Sequence, residues 1–190
     1  VRVPQRDPGP AREELDRAIA GVLDGQRFIL GEAPEAFERE FARSCGSPFA
    51  ISCASGSDAL LLALMAVGVG PGDEVVCPAY SFFASASSIV RLGARPVFAD
   101  IDPASFNLDP ASARRAAQSC TRLKAILPVD LFGRVCDMTP LLALAEEFAV
   151  PLIEDAAQSV GALDEQQRPA GSSGTFGCFS LYPTKNLGAL

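Results

Sequence analysis

The chain has 190 residues, 48% of them hydrophobic and 21% charged, a balance typical of a globular protein with one sizeable core. A formal net charge of −7 argues against a nucleic-acid-binding protein, which needs a basic surface. No apolar run has the length of a membrane span and no signal-peptide pattern opens the sequence, so we expect no membrane partner.

The cysteines and the lack of histidine restrict the chemistry. Six cysteines are scattered without a C-x-x-C pair, and the sequence contains no histidine. This pattern argues against a zinc site and against a mechanism that needs an imidazole base. Several cysteines lie in apolar strand-like runs, which predicts buried, reduced thiols in a cytoplasmic protein.

The first part of the chain predicts an arm followed by two helices. Residues 1–10 are rich in proline and charge and indicate an arm. Apolar residues recur at helical spacing over residues 11–23. Residues 34–45 form a second amphipathic helix, with Phe37 and Phe41 on one face.

From Phe49 onwards, short apolar strands alternate with helices. The predicted strands cover residues 49–53, 74–77, 96–99, 124–128, 151–154 and 176–181, and the helices cover residues 58–67, 81–92, 110–118 and 139–148. This order predicts an α/β protein with a mostly parallel sheet and helices on both faces, a three-layer α/β/α arrangement. The direction of the last strand is left open. Ligands bind such sheets at the carboxyl ends of the strands.

The last fifteen residues, Phe176 to Leu190, contain a lysine with apolar flanks. If Lys185 lies in a packed site, its amine loses a proton more easily and becomes a nucleophile that can form a Schiff base with a carbonyl. The alternative is a surface lysine whose stem lies along apolar surface, which is the commoner case for a single lysine.

Two serine-containing segments are candidates for holding a phosphate. At Gly56 the backbone allows close approach, and Ser57 adds a hydroxyl donor at a helix N-terminus. The alternative there is an ordinary N-cap by Ser57 or Asp58. Ser180 precedes Lys185 by five residues; its alternative is a serine that satisfies nearby backbone groups.

Three further side chains are suited to a flat heterocycle. The carboxylate of Asp155, at the end of a predicted strand, can pair with a protonated ring nitrogen, and Gln158 can donate to a ring oxygen. Phe82, at a strand–helix junction, can stack on a ring. The alternatives are a helix-capping aspartate and a core phenylalanine. Taken together, these groups suit a planar ligand with a basic ring nitrogen, a phosphate and an aldehyde, and pyridoxal 5′-phosphate has all of these.

The chain resembles the DegT/DnrJ/StrS family of sugar aminotransferases, within the fold type I pyridoxal-phosphate superfamily. The most specific motifs are Glu154-Asp-Ala-Ala-Gln-Ser159 and Phe179-Ser-Leu-Tyr-Pro-Thr-Lys-Asn186. Further matching blocks lie at residues 25–31, 55–60, 71–75, 98–102 and 128–133. The resemblance implies an aspartate aminotransferase-like large domain, here truncated.

The resemblance implies an arm and helix in residues 1–30 and an incomplete cofactor-binding domain in residues 31–190, without the C-terminal small domain. The chain begins with valine and stops shortly after Lys185, so we expect a fragment of a longer chain that is inactive alone. In the family the active site is shared between two subunits, which implies a homodimer at full length.

The resemblance also implies the role of each candidate. Lys185 would be the Schiff-base lysine and later the base that moves a proton between Cα and C4′. Asp155 would pair with the pyridine nitrogen.

The remaining candidates would hold the cofactor in place. Gln158 would contact the ring hydroxyl, and Phe82 would stack on the ring. Gly56, Ser57 and Ser180 would hold the phosphate.

Two positions depart from the family pattern. Ser57 stands where threonine is usual, which keeps the hydroxyl, and Asp130 stands where histidine is common. The resemblance implies transfer of an amino group, from glutamate as donor, to a keto group of a nucleotide-linked sugar. The alternatives are a dehydratase, whose branch of the family replaces the lysine with histidine, and a non-catalytic regulatory protein of the same fold. Lys185 favours transamination over dehydration.

Overall fold

The structure is a computed structural model that describes residues 12–188; the predicted arm at residues 1–10 lies outside this range. Within it the chain divides into two compact units, with the boundary between Ser52 and Cys53. The domain boundary after residue 30 remains a prediction. Between residues 12 and 188, no helix is both long enough and apolar enough to cross a bilayer.

The first unit contains two helices, α1 (Arg12–Gly25) and α2 (Glu32–Ser44), and both confirm the helices predicted there. In α2, the rings of Phe37 and Phe41 lie on one face, with their centroids 5.4 Å apart. In α1 no residue is buried, so its apolar positions remain exposed.

The predicted strand over residues 49–53 is wrong. This segment is not assigned as a strand, and Phe49 and Ile51 are 81% and 87% exposed. Its backbone is held instead by a side chain, because Glu38 Oε1 accepts hydrogen bonds from the N–H of Ser52 at 2.7 Å and from its hydroxyl at 2.6 Å. Apolar alternation predicts which side chains prefer burial, but it does not supply the neighbouring strand that a ladder requires.

The second unit contains the predicted alternation of strands and helices. Its helices are α3 (Gly56–Ala66), α4 (Phe83–Arg91), α5 (Pro110–Ser119) and α6 (Met138–Glu147), with a short 3₁₀ turn at Leu131–Gly133. Its strands are β1 (Glu74–Pro78), β2 (Arg95–Ala99), β3 (Leu123–Ile126), β4 (Ile153–Asp155) and β5 (Phe176–Cys178). The element types are confirmed, whereas several ends differ by two or three residues; β5 ends at Cys178 and not at Leu181.

All the paired strands in this unit run parallel. The sheet order is β2-β1-β3, and β4 pairs with β5. Two isolated parallel bridges, Ile126 to Leu152 and Val129 to Asp155, continue the pairing from β3 to β4. The parallel pairing of β5 settles the direction that the sequence left open.

Helices cover both faces of this sheet. From β1, Val75 and Cys77 pack into one core cluster with α3 and α4, whereas Val76 packs into another with α5 and α6. Successive residues of a strand point to opposite faces, so these two clusters confirm the three-layer α/β/α arrangement.

The six cysteines are free thiols. Four of them are buried, as predicted, namely Cys45, Cys77, Cys136 and Cys178. Cys120 is half-buried and Cys53 is exposed.

Candidate functional site

A cleft of about 450 Å³, open to solvent, lies at the carboxyl ends of the strands. All seven predicted site residues line it, namely Gly56, Ser57, Phe82, Asp155, Gln158, Ser180 and Lys185. The structure thus brings together residues that are up to 129 positions apart (185 − 56 = 129). The remaining lining is apolar apart from the hydroxyl of Ser81.

One end of the cleft lies at the N-terminus of α3. The helix begins at Gly56 and is capped by Ser55, whose Oγ accepts a hydrogen bond from the Asp58 N–H at 3.1 Å. Neither Ser57 nor Asp58 is therefore the cap. The N–H groups of Gly56 and Ser57 belong to the first turn, where a helix offers no carbonyl partner, so they are suited to an anion.

The backbone at this end is packed closely against the segment after β5. A Cβ added at Gly56 would lie 2.8 Å from the Ser180 Cβ and 3.1 Å from the Phe179 carbonyl oxygen. Only glycine fits there without movement, and the Ser180 hydroxyl lies beside the helix start. This geometry forms a small cradle of backbone and hydroxyl donors.

The carboxylate of Asp155 lies at the end of β4 and is only 5% exposed. Its Oδ2 accepts a hydrogen bond from the Ser85 hydroxyl at 2.8 Å, and its Oδ1 accepts one from the Ala157 N–H at 3.3 Å. The residues that follow form turns and no helix, so Asp155 does not cap a helix.

Burial raises the pKa of Asp155 above its usual value, because it penalises the charged form. The two hydrogen bonds and the positive charge of Lys185 act in the opposite direction. A buried carboxylate whose hydrogen-bond donors are neutral is suited to a cationic ligand group, since pairing stabilises its charge.

Asp130 lies behind Asp155 and does not line the cleft. Its N–H donates to the Asp155 carbonyl at 3.0 Å, and its side chain is 1% exposed. The pKa of Asp130 is raised to about 7, mainly by burial and in addition by the negative charges of Glu154 and Asp155. The N–H of Cys136, which donates to the carboxyl, opposes this shift.

Gln158 has a fixed orientation at the rim of the cleft. Its Oε1 accepts a hydrogen bond from the N–H of Phe132 at 2.8 Å, which leaves the amide nitrogen as the donor toward the cleft. Asn107 holds the turn that carries Phe132, because its side chain accepts from the Leu131 N–H at 3.0 Å and donates to the Arg134 carbonyl at 2.8 Å.

Phe82 and Lys185 complete the lining. Phe82 immediately precedes α4 and is 68% exposed, so it is not a core phenylalanine. Lys185 is half-buried in a turn in which its N–H donates to the Tyr182 carbonyl at 2.8 Å.

The donor set fits pyridoxal phosphate. The Gly56 cradle suits a phosphate, the buried Asp155 carboxylate suits a protonated ring nitrogen, and Lys185 supplies the amine for an aldehyde. The lining also includes an exposed aromatic face and an amide donor. The roles of these residues remain predictions.

Sequence reasoning missed the polar groups around this lining. Ser85 contacts Asp155, Ser81 contacts Ser85, and the Phe132 N–H orients Gln158. The sequence signal that could have indicated the contact between Ser81 and Ser85 is their spacing, four residues apart at the start of a helix.

Comparison with known proteins shows the family to which the chain belongs. The sequence profile of the DegT/DnrJ/EryC1/StrS aminotransferase family matches residues 10–190. A pleiotropic regulatory protein of Geobacillus stearothermophilus is 45% identical, over 100% of this chain and 51% of its own length. A UDP-N-acetyl-3-dehydro-α-D-glucosamine 3-aminotransferase of Acidithiobacillus ferrooxidans is 44% identical, over 95% of this chain and 48% of its own.

Solved structures share the fold. DesV of S. venezuelae, in complex with a ketimine intermediate, superposes with a TM-score of 0.92 at 41% identity, covering 96% of this chain and 48% of DesV. Solved structures described as a putative sugar aminotransferase of Streptococcus pneumoniae, 31% identical to this chain, include a PLP form and a PMP form. The chain spans about half the length of the curated relatives it matches.

Proposed function

Because the chain belongs to the DegT/DnrJ/EryC1/StrS aminotransferase family, we propose that the full-length protein is a pyridoxal-phosphate-dependent aminotransferase. It transfers an amino group, with glutamate as donor, to a keto group of a nucleotide-linked sugar. The observation that carries this proposal is that Lys185 and the buried Asp155 line one and the same cleft. The related sugar aminotransferases support the substrate class.

Different residues of the cleft hold different parts of the cofactor. Gly56, Ser57 and Ser180 bind its phosphate, Gln158 donates to its ring hydroxyl, and Phe82 covers one ring face. The cofactor, when bound, supplies an electron-withdrawing ring that stabilises negative charge at the reacting carbon.

Two side chains handle protons. Asp155 accepts a hydrogen bond from the ring N–H and keeps that proton in place, since an adjacent carboxylate favours the cationic form. Lys185 would hold the cofactor through Nζ, and as a free amine the same nitrogen would accept a proton from the reacting carbon and return it as a general base and acid.

Absorbance spectroscopy of the full-length protein with added pyridoxal phosphate tests the cofactor assignment. The unsubstituted protein is expected to show the band of a lysine-bound cofactor, and the Lys185→Ala variant to lose it. Lys124→Ala is the matched control, because Lys124 is also half-buried but lies on β3 outside the cleft lining. An unchanged spectrum in Lys185→Ala would count against the assignment.

Product analysis separates the candidate activities. With a keto sugar nucleotide and glutamate, transamination forms an amino sugar and 2-oxoglutarate, whereas a dehydratase forms no amine. Cofactor binding without turnover would instead indicate the regulatory alternative.

A homodimer and a cytoplasmic location complete the proposal. The apolar positions of α1, Leu15, Ile19, Val22 and Leu23, are 37% to 55% exposed, which is consistent with burial against a second copy. The free cysteines agree with a reducing compartment. Sedimentation of the full-length protein tests the dimer, and a monomer at all concentrations would contradict it.

A further inference from the structure

Two serines on α4 and just before it extend from the cleft to the buried carboxylate. Ser85 is 1% exposed, and its hydroxyl oxygen lies 2.8 Å from the Asp155 Oδ2. The hydroxyl of Ser81, which lines the cleft, lies 2.9 Å from that of Ser85. None of the roles described above uses either side chain.

The direction of these hydrogen bonds follows from the number of protons. An ionised carboxylate only accepts, so the single hydroxyl proton of Ser85 points to Asp155. The Ser81 hydroxyl must then be the donor to Ser85 Oγ. The chain therefore runs from Ser81 through Ser85 to Asp155, with every donor directed toward the carboxylate.

We propose that Ser85 is the positioning residue for Asp155, with Ser81 as its outer donor, and that this pair keeps the carboxylate charged and aimed at the cofactor's ring nitrogen. The inference rests on the proposed function. It assigns to Ser85 an effect on the cofactor that acts through Asp155 and not by direct contact.

Burial strengthens the hydrogen bond from the Ser85 hydroxyl to the Asp155 carboxylate. A hydrogen bond to a charged acceptor is stronger than one between neutral groups, and a low local dielectric strengthens it further. Without the Ser85 hydroxyl, the Asp155 side chain keeps the 3.3 Å contact with the Ala157 N–H. Loss of the Ser85 donor would raise the pKa of Asp155 further and so make its neutral form more accessible, and a neutral carboxyl group does not pair with a cationic ring nitrogen.

The start of α4 also positions Phe82, the aromatic residue of the cleft lining. The N–H of Ser85 donates to the carbonyl of Phe82 at 3.2 Å, so both residues belong to one turn. The position of Phe82 relative to the Asp155 carboxylate is thus set by a single local element. A variant that removes only the Ser85 hydroxyl separates the electrostatic effect from the placement of Phe82.

The first test measures the carboxylate without any cofactor. In the full-length apoprotein, the ¹³C signal of the Asp155 carboxyl is followed against pH by NMR. In Ser85→Ala the pKa of Asp155 is expected to rise by about one to two pH units, because a hydrogen bond to a buried charge is lost. Ser85→Thr, which keeps the hydroxyl, is expected to restore it.

The matched control is Ser88→Ala. Ser88 is also 1% exposed and lies on the same helix, but its hydroxyl donates to the Ser85 carbonyl at 3.1 Å. Its loss is expected to leave the pKa of Asp155 unchanged. Ser81→Ala, which removes only the outer donor, is expected to raise the pKa by less than half as much as Ser85→Ala and remains informative if Ser85→Ala fails to fold.

The second test titrates the apoprotein variants with pyridoxal phosphate. Ser85→Ala is expected to weaken binding about ten-fold or more, whereas Ser88→Ala is not. An unchanged pKa of Asp155 in Ser85→Ala, with reduced stability alone, would overturn this inference and leave the proposed function standing. Failure of the unsubstituted full-length protein to bind the cofactor would overturn the proposed function, and with it the link from Ser85 to the cofactor.

Discussion

Gly56 and Ser180 pack against each other at one end of the cleft, so closely that a methyl group on Gly56 would lie 2.8 Å from the Ser180 Cβ. Gly56 opens α3, and Ser180 follows β5, so this contact joins two segments that are far apart in the sequence. The spacing between the two sides of the cradle is therefore set by the missing side chain at position 56.

We expect Gly56→Ala to move these two segments apart. The overlap with Ser180 should lower the free energy of unfolding by about 1–3 kcal/mol, and a gain in helix propensity of up to about 1 kcal/mol should offset only part of it. Affinity for pyridoxal phosphate should fall as the cradle widens. Urea unfolding and a cofactor titration measure the two effects.

Gly70→Ala is the control for this change, because an added methyl there has no atom within 4 Å. Equal effects of the two substitutions on cofactor binding would contradict the role of the close contact.

Because of Asp130, the free energy of unfolding should decrease as the pH rises. Its pKa is raised from 3.8 to about 7 in the folded protein, mainly by burial, so the folded state binds its proton more tightly than the unfolded chain. The resulting contribution is fully present below pH 3.8 and is lost as the pH rises to about 7. The difference is on the order of 4 kcal/mol.

The variant Asp130→Asn removes this titration and keeps an oxygen for the Cys136 N–H. Between pH 4 and pH 7, its free energy of unfolding should therefore decrease less than that of the unsubstituted protein. Urea unfolding at a series of pH values checks the difference. Parallel curves for the two proteins would show that Asp130 does not titrate in this range.

Asn107 should be important for stability although it lies outside the cleft lining. Removing its side chain takes the donor from the Arg134 carbonyl and one of two acceptors from the Leu131 N–H, which keeps its 3.0 Å hydrogen bond to the Val129 carbonyl. Asn107→Ala should therefore cost about 1–3 kcal/mol. Urea unfolding measures this, with the exposed Gln118→Ala on α5 as control. A cost similar to that of the control would mean that water replaces both contacts.

The sequence predicted those parts of the candidate site that lie at the carboxyl ends of strands. Asp155 is the last residue of β4 and Lys185 follows β5, and the carboxyl ends of such parallel strands meet at one edge of a sheet. The alternation of apolar strands with helices likewise predicted the three layers, because burial on both faces gives strands that are apolar throughout.

Contacts between distant segments were not predictable in the same way. Ser85 meets Asp155 across 70 positions, and only the packing of α4 against the sheet brings the two together. The segment around Ser52 shows the converse, a predicted element that did not form. Its apolar alternation predicted a strand, but a carboxylate of Glu38 took the backbone N–H.

Because Ser55 caps α3, the hydroxyl of Ser57 is not needed to start the helix. In the proposed site, anion binding by Ser57 and helix initiation by Ser55 are thus functions of separate side chains two positions apart. An engineer could exchange Ser57 for threonine or alanine to tune anion affinity while α3 keeps its beginning, a freedom that a helix capped by its own binding residue would not offer.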